Sequence, residues 1–109
     1  MNQLAFYVAA ILGQAAPVRI AHSSVETSCW EDQGFQVCRE VTTYHFANGV
    51  VIRRTVERDN FPQHAGGCGE TWVSDEVLAT GQLGGVEPSR KVFENACREA
   101  FWAAYHVAT

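Results

Sequence analysis

Residues 25–58 read VETSCWEDQGFQVCREVTTYHFANGVVIRRTVER, a run of β-branched and aromatic residues broken at Gln33-Gly34 and at Asn48-Gly49. Alternation punctuated by turn-forming dipeptides predicts three antiparallel strands joined as a meander. Asn-Gly is the preferred pair for a two-residue hairpin loop, because both loop positions then take positive φ. Such a loop sets Ala47 against Val50, His45 against Ile52 and Val41 against Val56. Through the first turn, Trp30 falls opposite Val37 on the same side, which is the expected core side. The other side then carries Glu40, Thr42, Tyr44, Phe46, Val51, Arg53, Thr55 and Glu57, with Thr27 on the first strand. Arg39 and Arg54 fall on the nominal core side, and a bulge or a one-residue slip would exchange the faces.

Upstream of the meander, Leu4, Tyr7, Val8, Ile11 and Leu12 recur at helical spacing, with Asn2 as a cap and Gly13 and Pro17 as the stop. The rest of this helix is Ala5, Phe6, Ala9 and Ala10, so it is apolar nearly all round and requires burial on more than one side. Three readings of it stand: a helix inside the core, a contact with a second copy, or a secretory signal ending near Ala15. The absence of a basic residue in Met1-Asn2-Gln3 counts against the signal. Residues 18–22 are suited to a short fourth strand.

Downstream, residues 88–108 place Val92, Phe93, Ala96, Cys97, Ala100, Phe101, Ala104 and Tyr105 on one stripe, with Lys91, Glu94, Arg98 and Glu99 opposite. A long helix starting at Pro88 is expected, with Trp102 outside its buried stripe, either under a loop or as a binding anchor. Ser74-Asp75-Glu76 followed by Val77-Leu78-Ala79 is read as a short capped helix ended by Gly81. The expected fold is a single α+β domain over residues 1–109. It has a three- or four-stranded antiparallel meander with an N-terminal helix and a longer C-terminal helix packed on one face, an αβββα-like order.

The composition bounds the function. At 109 residues, 47% hydrophobic and 11% aromatic, the chain has the apolar content to fold as one domain. Twelve acids against eight bases give a net charge of −4, which argues against general affinity for nucleic-acid phosphates. Its longest uncharged apolar run, residues 4–12, is well short of the roughly 20 residues of a membrane span.

Candidate chemistry centres on the four cysteines. The Gln33-Gly34 turn puts Cys29 opposite Cys38 at a non-hydrogen-bonded site, where side chains approach most closely, making the pair a candidate disulfide. A neighbouring pair of reduced thiols fits the sequence equally well. Cys97 is expected to fill space on the helix stripe, with Cys68 as its partner if it has one. Cys68, between glycines and near His64, is the candidate reactive thiol. No closely spaced ligand pairs point to zinc, Gly66-Gly67-Cys68-Gly69 lacks the Lys and Ser or Thr of a phosphate loop, and no catalytic residue, metal or other cofactor is expected.

Arg39, Arg53, Arg54 and Arg58 beside Tyr44 and Phe46 suggest a surface for single-stranded nucleic acid. Glu26, Glu40, Glu57 and Asp59 lie close enough to neutralise those arginines, and nucleic acid is the disfavoured partner. The leading expectation is a small non-catalytic domain binding another protein, self-associating through the N-terminal helix or the region of Phe101, Trp102 and Tyr105. Its expected binding residues are Glu40, Tyr44, Phe46, Val51, Arg53 and Trp102. The alternatives are a thiol-dependent enzyme or redox protein centred on Cys68, and a secreted disulfide-stapled domain. The expected location is cytoplasmic, or secreted if residues 1–15 are a signal peptide. In general architecture the chain resembles small acidic α+β proteins carried by phages and plasmids, some of which occupy a surface of a host enzyme. That likeness implies an inhibitor or accessory role for a mobile element.

Overall fold

The structure, a computed structural model, describes residues 3–59, 71–81 and 84–108. It has α1 (Leu4–Ile11), β1 (Ile20–Asp32), β2 (Phe35–Phe46), β3 (Val50–Asp59), β4 (Thr71–Thr80), β5 (Arg90–Phe93) and α2 (Ala96–Ala108). All five strands form one antiparallel sheet in sequence order. The class is therefore α+β, with five strands where three or four were expected. Residues 74–79 belong to β4 rather than to a helix, and residues 90–93 form β5 rather than the first turns of α2. In both places pairing with neighbouring strands outweighs a local helical preference.

α1 ends as Gly13 predicts. Gly13 sits at φ +76°, its N–H donates to the Ala10 carbonyl, and the Gln14 N–H donates to the Ala9 carbonyl. This is a Schellman stop, which needs the left-handed conformation glycine adopts without strain. The helix buries Leu4, Ala5, Tyr7, Val8 and Ala9, and packs with Phe46, Val50, Ile52, Val86 and Ala103 in the main core cluster. Cutting away residues 1–15 would remove much of that cluster. A second cluster holds Val56, Val73 and Phe93, and Trp102 packs against both.

The two hairpin turns differ. Gln33 (φ 53°) and Gly34 (φ 84°) are both left-handed, and Asp32 pairs directly with Phe35, so this is the two-residue loop expected. At the second turn the observed pairs are Tyr44 with Ile52 and His45 with Val51, one residue away from the expected alignment. Gln33 is the only non-glycine at positive φ among the described residues, so Asn48 does not adopt the conformation a two-residue Asn-Gly loop needs. Instead the Gly49 N–H donates to the Phe46 carbonyl, Gly49 alone is left-handed (φ 93°), and the loop has three residues. The Asn48 side chain is committed elsewhere: its Nδ2 donates to the Tyr7 hydroxyl at 3.0 Å, and its Oδ1 accepts from the Val50 N–H.

That slip reverses β2. Phe46 is buried among the helix-side residues with Ile52, while Val41 shares the opposite face with Arg53 and Thr55. The assignment of β3 holds, with Ile52 and Val56 inward.

The turn also explains Gly81. A Cβ there would lie 2.9 Å from the Asn48 carbonyl oxygen and about as close to the Gly49 backbone, at φ +63°. Gly81→Ala is expected to destabilise by more than the about 1–3 kcal/mol of a strained left-handed residue. Gly13→Ala, with open space around the new Cβ, supplies the strain-only comparison in denaturant unfolding. Equal losses at the two positions would disprove the turn-to-turn contact.

Candidate interaction surfaces

The six expected binding residues do not share a surface. Phe46 and Tyr44 pack in or against the main core on the helix side, where the register also puts Glu40, whereas Val51 and Arg53 point to the open face. Trp102 is half-buried against Phe93, ring centroids 5.3 Å apart, and belongs to the core. The reason is the register of β2: one residue of slip sends alternate side chains through the sheet.

The open face carries charges that are already paired. Arg39 binds Glu57 at 3.1 Å, Arg53 binds Glu76, and Arg90 donates from Nε to the Ser74 hydroxyl at 3.3 Å. Exposed pairs of this kind contribute about 0–1 kcal/mol each. They border a shallow depression of about 490 Å³ floored by Val41, Thr55 and Ser74 and edged by Trp72, itself 57% exposed. A larger depression of about 1050 Å³ lies between the start of α1 and the end of α2, lined by Gln3, Val86, Glu87, Lys91, Trp102 and His106 among others.

On the helix side, charge is buried between the two apolar clusters. Arg54 from β3 reaches Glu99 on α2 with two hydrogen bonds, Nε to Oε2 at 3.0 Å and an Nη to Oε1 at 2.6 Å. Asp75 from β4 stands 4.0 Å from the Arg54 Nε. Glu99 and Asp75 are fully buried, and among the described residues no partner meets hydrogen-bond geometry at either Asp75 oxygen, although its carboxyl lies beside that of Glu99. Burial, reinforced by the neighbouring Glu99 carboxylate, pushes the Asp75 pKa up to about 9 against the opposing pull of Arg54. Burial by itself would lower the Arg54 pKa; Glu99 and Asp75 outweigh it and raise it. The direction of the shift favours the protonated, neutral form of Asp75 beside the Arg54–Glu99 contact. With both carboxyl groups enclosed, the cluster docks α2 to the sheet and presents no reactive group to solvent.

This docking fixes which side of α2 faces in, and it is not the side expected. Asn95 caps the helix, its Oδ1 accepting from the Arg98 N–H at 2.8 Å. From there Glu99 and Ala103 are buried and Trp102, His106 and Val107 half-buried. Phe101 (73% exposed), Ala104, Tyr105 (57%) and Ala108 face outward, with the Phe101 and Tyr105 rings stacked at 6.2 Å. The stripe expected in the core is thus largely on the surface, and Glu99, expected outside, is inside. Cys97 is likewise exposed rather than filling the core, and it is disulfide-bonded.

The Cys29–Cys38 disulfide is formed, with Cα atoms 4.1 Å apart. It ties β1 to β2 where β1 is exposed along almost its whole length. Arg39 also lies over the Trp30 ring, 5.1 Å from its centroid. The candidate reactive thiol Cys68, with His64 and the surrounding glycines, lies outside the described residues. Among those described, no group of three His, Cys, Asp or Glu could hold a metal ion, and no helix is long and apolar enough to cross a membrane. Sequence reasoning missed Asp75 and Glu99 as partners of Arg54; the available signal was Arg54 itself, a charge on the core-facing phase of a strand.

No protein-family model matches the chain, and neither a curated protein nor a solved structure is detectably similar to it.

Proposed function

We propose that this protein is a non-catalytic interaction domain whose contact surface is the outer face of α2, seated in an apolar groove of a partner protein. The observation that carries this reading is the solvent-facing set Phe101, Ala104, Tyr105 and Ala108. Their spacing, i, i+3, i+4 and i+7, is that of helices that bind by laying one apolar face into a groove. Large aromatic side chains left in water on one face of a helix favour burial by a partner, and aromatic anchors dominate the energetics of such contacts. The Arg54–Glu99 contact holds the opposite face of the helix, so the aromatics are presented on a fixed scaffold rather than ordered on binding.

Affinity capture from the native host tests this with Phe101→Ser/Tyr105→Ser beside the unaltered chain. Both substitutions are at exposed positions, so the circular dichroism and unfolding midpoint should change little. A partner held by the unaltered chain should be lost by the variant, with affinity lowered at least about tenfold. Equal capture by both proteins, with the variant folded, would reject α2 as the contact surface.

A second reading concerns the compartment. A Cys29–Cys38 bridge on an exposed hairpin and a bonded Cys97 favour a protein that works where disulfides persist. Mass spectrometry of material alkylated at harvest from the native host decides it, since free thiols at Cys29 and Cys38 would contradict this reading.

A further inference from the structure

We infer that a second copy of this chain pairs with the free edge of β1, joining two sheets into one. β1 runs 13 residues as an outer strand, and residues 21–32 are exposed. Val25, with 59% of its surface in water, stands near the middle of that edge. Exposed edges are commonly blunted by charges, proline, bulges or short length; β1 has no lysine or proline, its irregularity is confined to the Ile20/His22 end, and Glu26 is the one charge within residues 21–30.

The hydrogen-bonding phase of the edge follows from the turn. In an antiparallel ladder, opposed residues alternate between pairs that exchange two hydrogen bonds and pairs that exchange none, and the latter have closer Cα atoms. The 4.1 Å Cα separation marks Cys29 and Cys38 as a pair without hydrogen bonds. The ladder keeps one register from Asp32↔Phe35 to His22↔His45, so Thr27, Val25 and Ser23 have the same phase as Cys29. Their N–H and C=O groups point away from β2, toward the open edge.

Antiparallel pairing about Val25 uses these groups directly. Val25 meets Val25 of the second copy, Thr27 meets its Ser23, and about six backbone hydrogen bonds form over residues 23–27. The side chains agree with this alignment. Two exposed valines cover each other, the Thr and Ser hydroxyls meet as a favourable cross-strand pair, and Glu26 stands opposite Ser24. An alignment centred one residue on would oppose Glu26 to Glu26, a repulsive pair in the middle of the seam. The charge position therefore selects the centre. The twofold axis runs through the sheet at Val25, perpendicular to it, so the helices of both copies lie on the same side of a ten-stranded sheet. This pairing is independent of the role given to α2.

Light scattering with size exclusion over a dilution series, using the full chain, tests the pairing. The unaltered protein should run as a dimer at high concentration and dissociate on dilution. Val25→Pro removes a donor that β2 does not use, and proline is tolerated at such edge positions. It should remain folded with a dimer dissociation constant raised at least about tenfold. Val25→Lys, which sets two ammonium groups face to face at the twofold axis, should do the same and serves if the proline variant fails to fold. A chain that stays monomeric at millimolar concentration overturns the inference. So does a folded Val25→Lys protein that dimerises as tightly as the unaltered one, as it would if the contact lay at α2.

Discussion

Arg54→Met should lower the unfolding free energy by about 3–5 kcal/mol, the loss typical when one partner of a buried ion pair is removed and the other charge stays behind. Glu99 is fully buried and takes two hydrogen bonds from this one side chain. Among the described residues no other cation reaches its carboxylate, so truncation leaves a buried negative charge with no cation beside it. Methionine fills much of the space the arginine stem occupied, which limits any cavity contribution. The discriminating comparison is Arg54→Met/Asp75→Asn/Glu99→Leu, in which no buried charge remains. If charge is the cause, the triple variant should recover most of the lost stability, because apolar replacement of a buried ionic cluster is often neutral or better. A single-variant loss below about 1 kcal/mol in urea unfolding would show that the cluster does not hold α2 to the sheet.

Stability should also fall as pH rises from about 4 to about 9, and Asp75→Asn should abolish most of that fall. In the folded protein the Asp75 pKa is raised from 3.8 to about 9. Across that interval the folded state keeps a proton which the unfolded state has released. The unfolded state thus binds fewer protons, and the slope of stability against pH is negative, approaching about 1.4 kcal/mol per pH unit for a single group. The favourable contribution is complete below pH 4, where both states are protonated, and is lost as pH climbs through the folded value. Burial is the main cause, with Glu99 adding to it and Arg54 opposing it; Lys91, paired with Asp75 in the β4–β5 ladder, is the charge on the remaining neighbouring strand. Asparagine has nearly the same shape and no ionisation. The variant should be more stable than the unaltered protein at pH 8, and the two should converge near pH 4. Parallel profiles over this range would mean that Asp75 ionises normally in the fold.

Both predictions depend on contacts no local pattern announced, and they mark where sequence reading stopped. Gly13 stops α1 because glycine adopts the left-handed conformation without strain, a preference local to that residue. The two-residue loop at Gln33-Gly34 fixes β1 against β2, and from it the facing of Cys29 and Cys38 follows by counting, while the bond between them is a finding of the structure. Ile52 and Val56 face inward because alternation on β3 is a local rule. These features arise within a few residues of chain, or between strands joined by one short turn, so the sequence contains what is needed to place them.

The remainder required partners distant in sequence. Asn48-Gly49 did not form the loop its composition favours, because Tyr7 engages the Asn48 side chain and Gly81 packs against the turn. One residue of slip then separated Tyr44 and Phe46 from Val51 and Arg53. Residues 74–79 became a strand because β3 pairs along that stretch and β5 adds a second edge over residues 73–76. The outer stripe of α2 looked like a core stripe because hydrophobicity is all that periodicity measures. A bidentate contact between Arg54 and Glu99 turned the helix the other way and left Phe101 and Tyr105 in water. The sequence by itself determined the α+β class, the meander order and the first hairpin, through short-range sterics and alternation. Only the tertiary structure decided which faces are hidden, because a strand or helix can present either side until a distant charge or turn makes one side cheaper to bury.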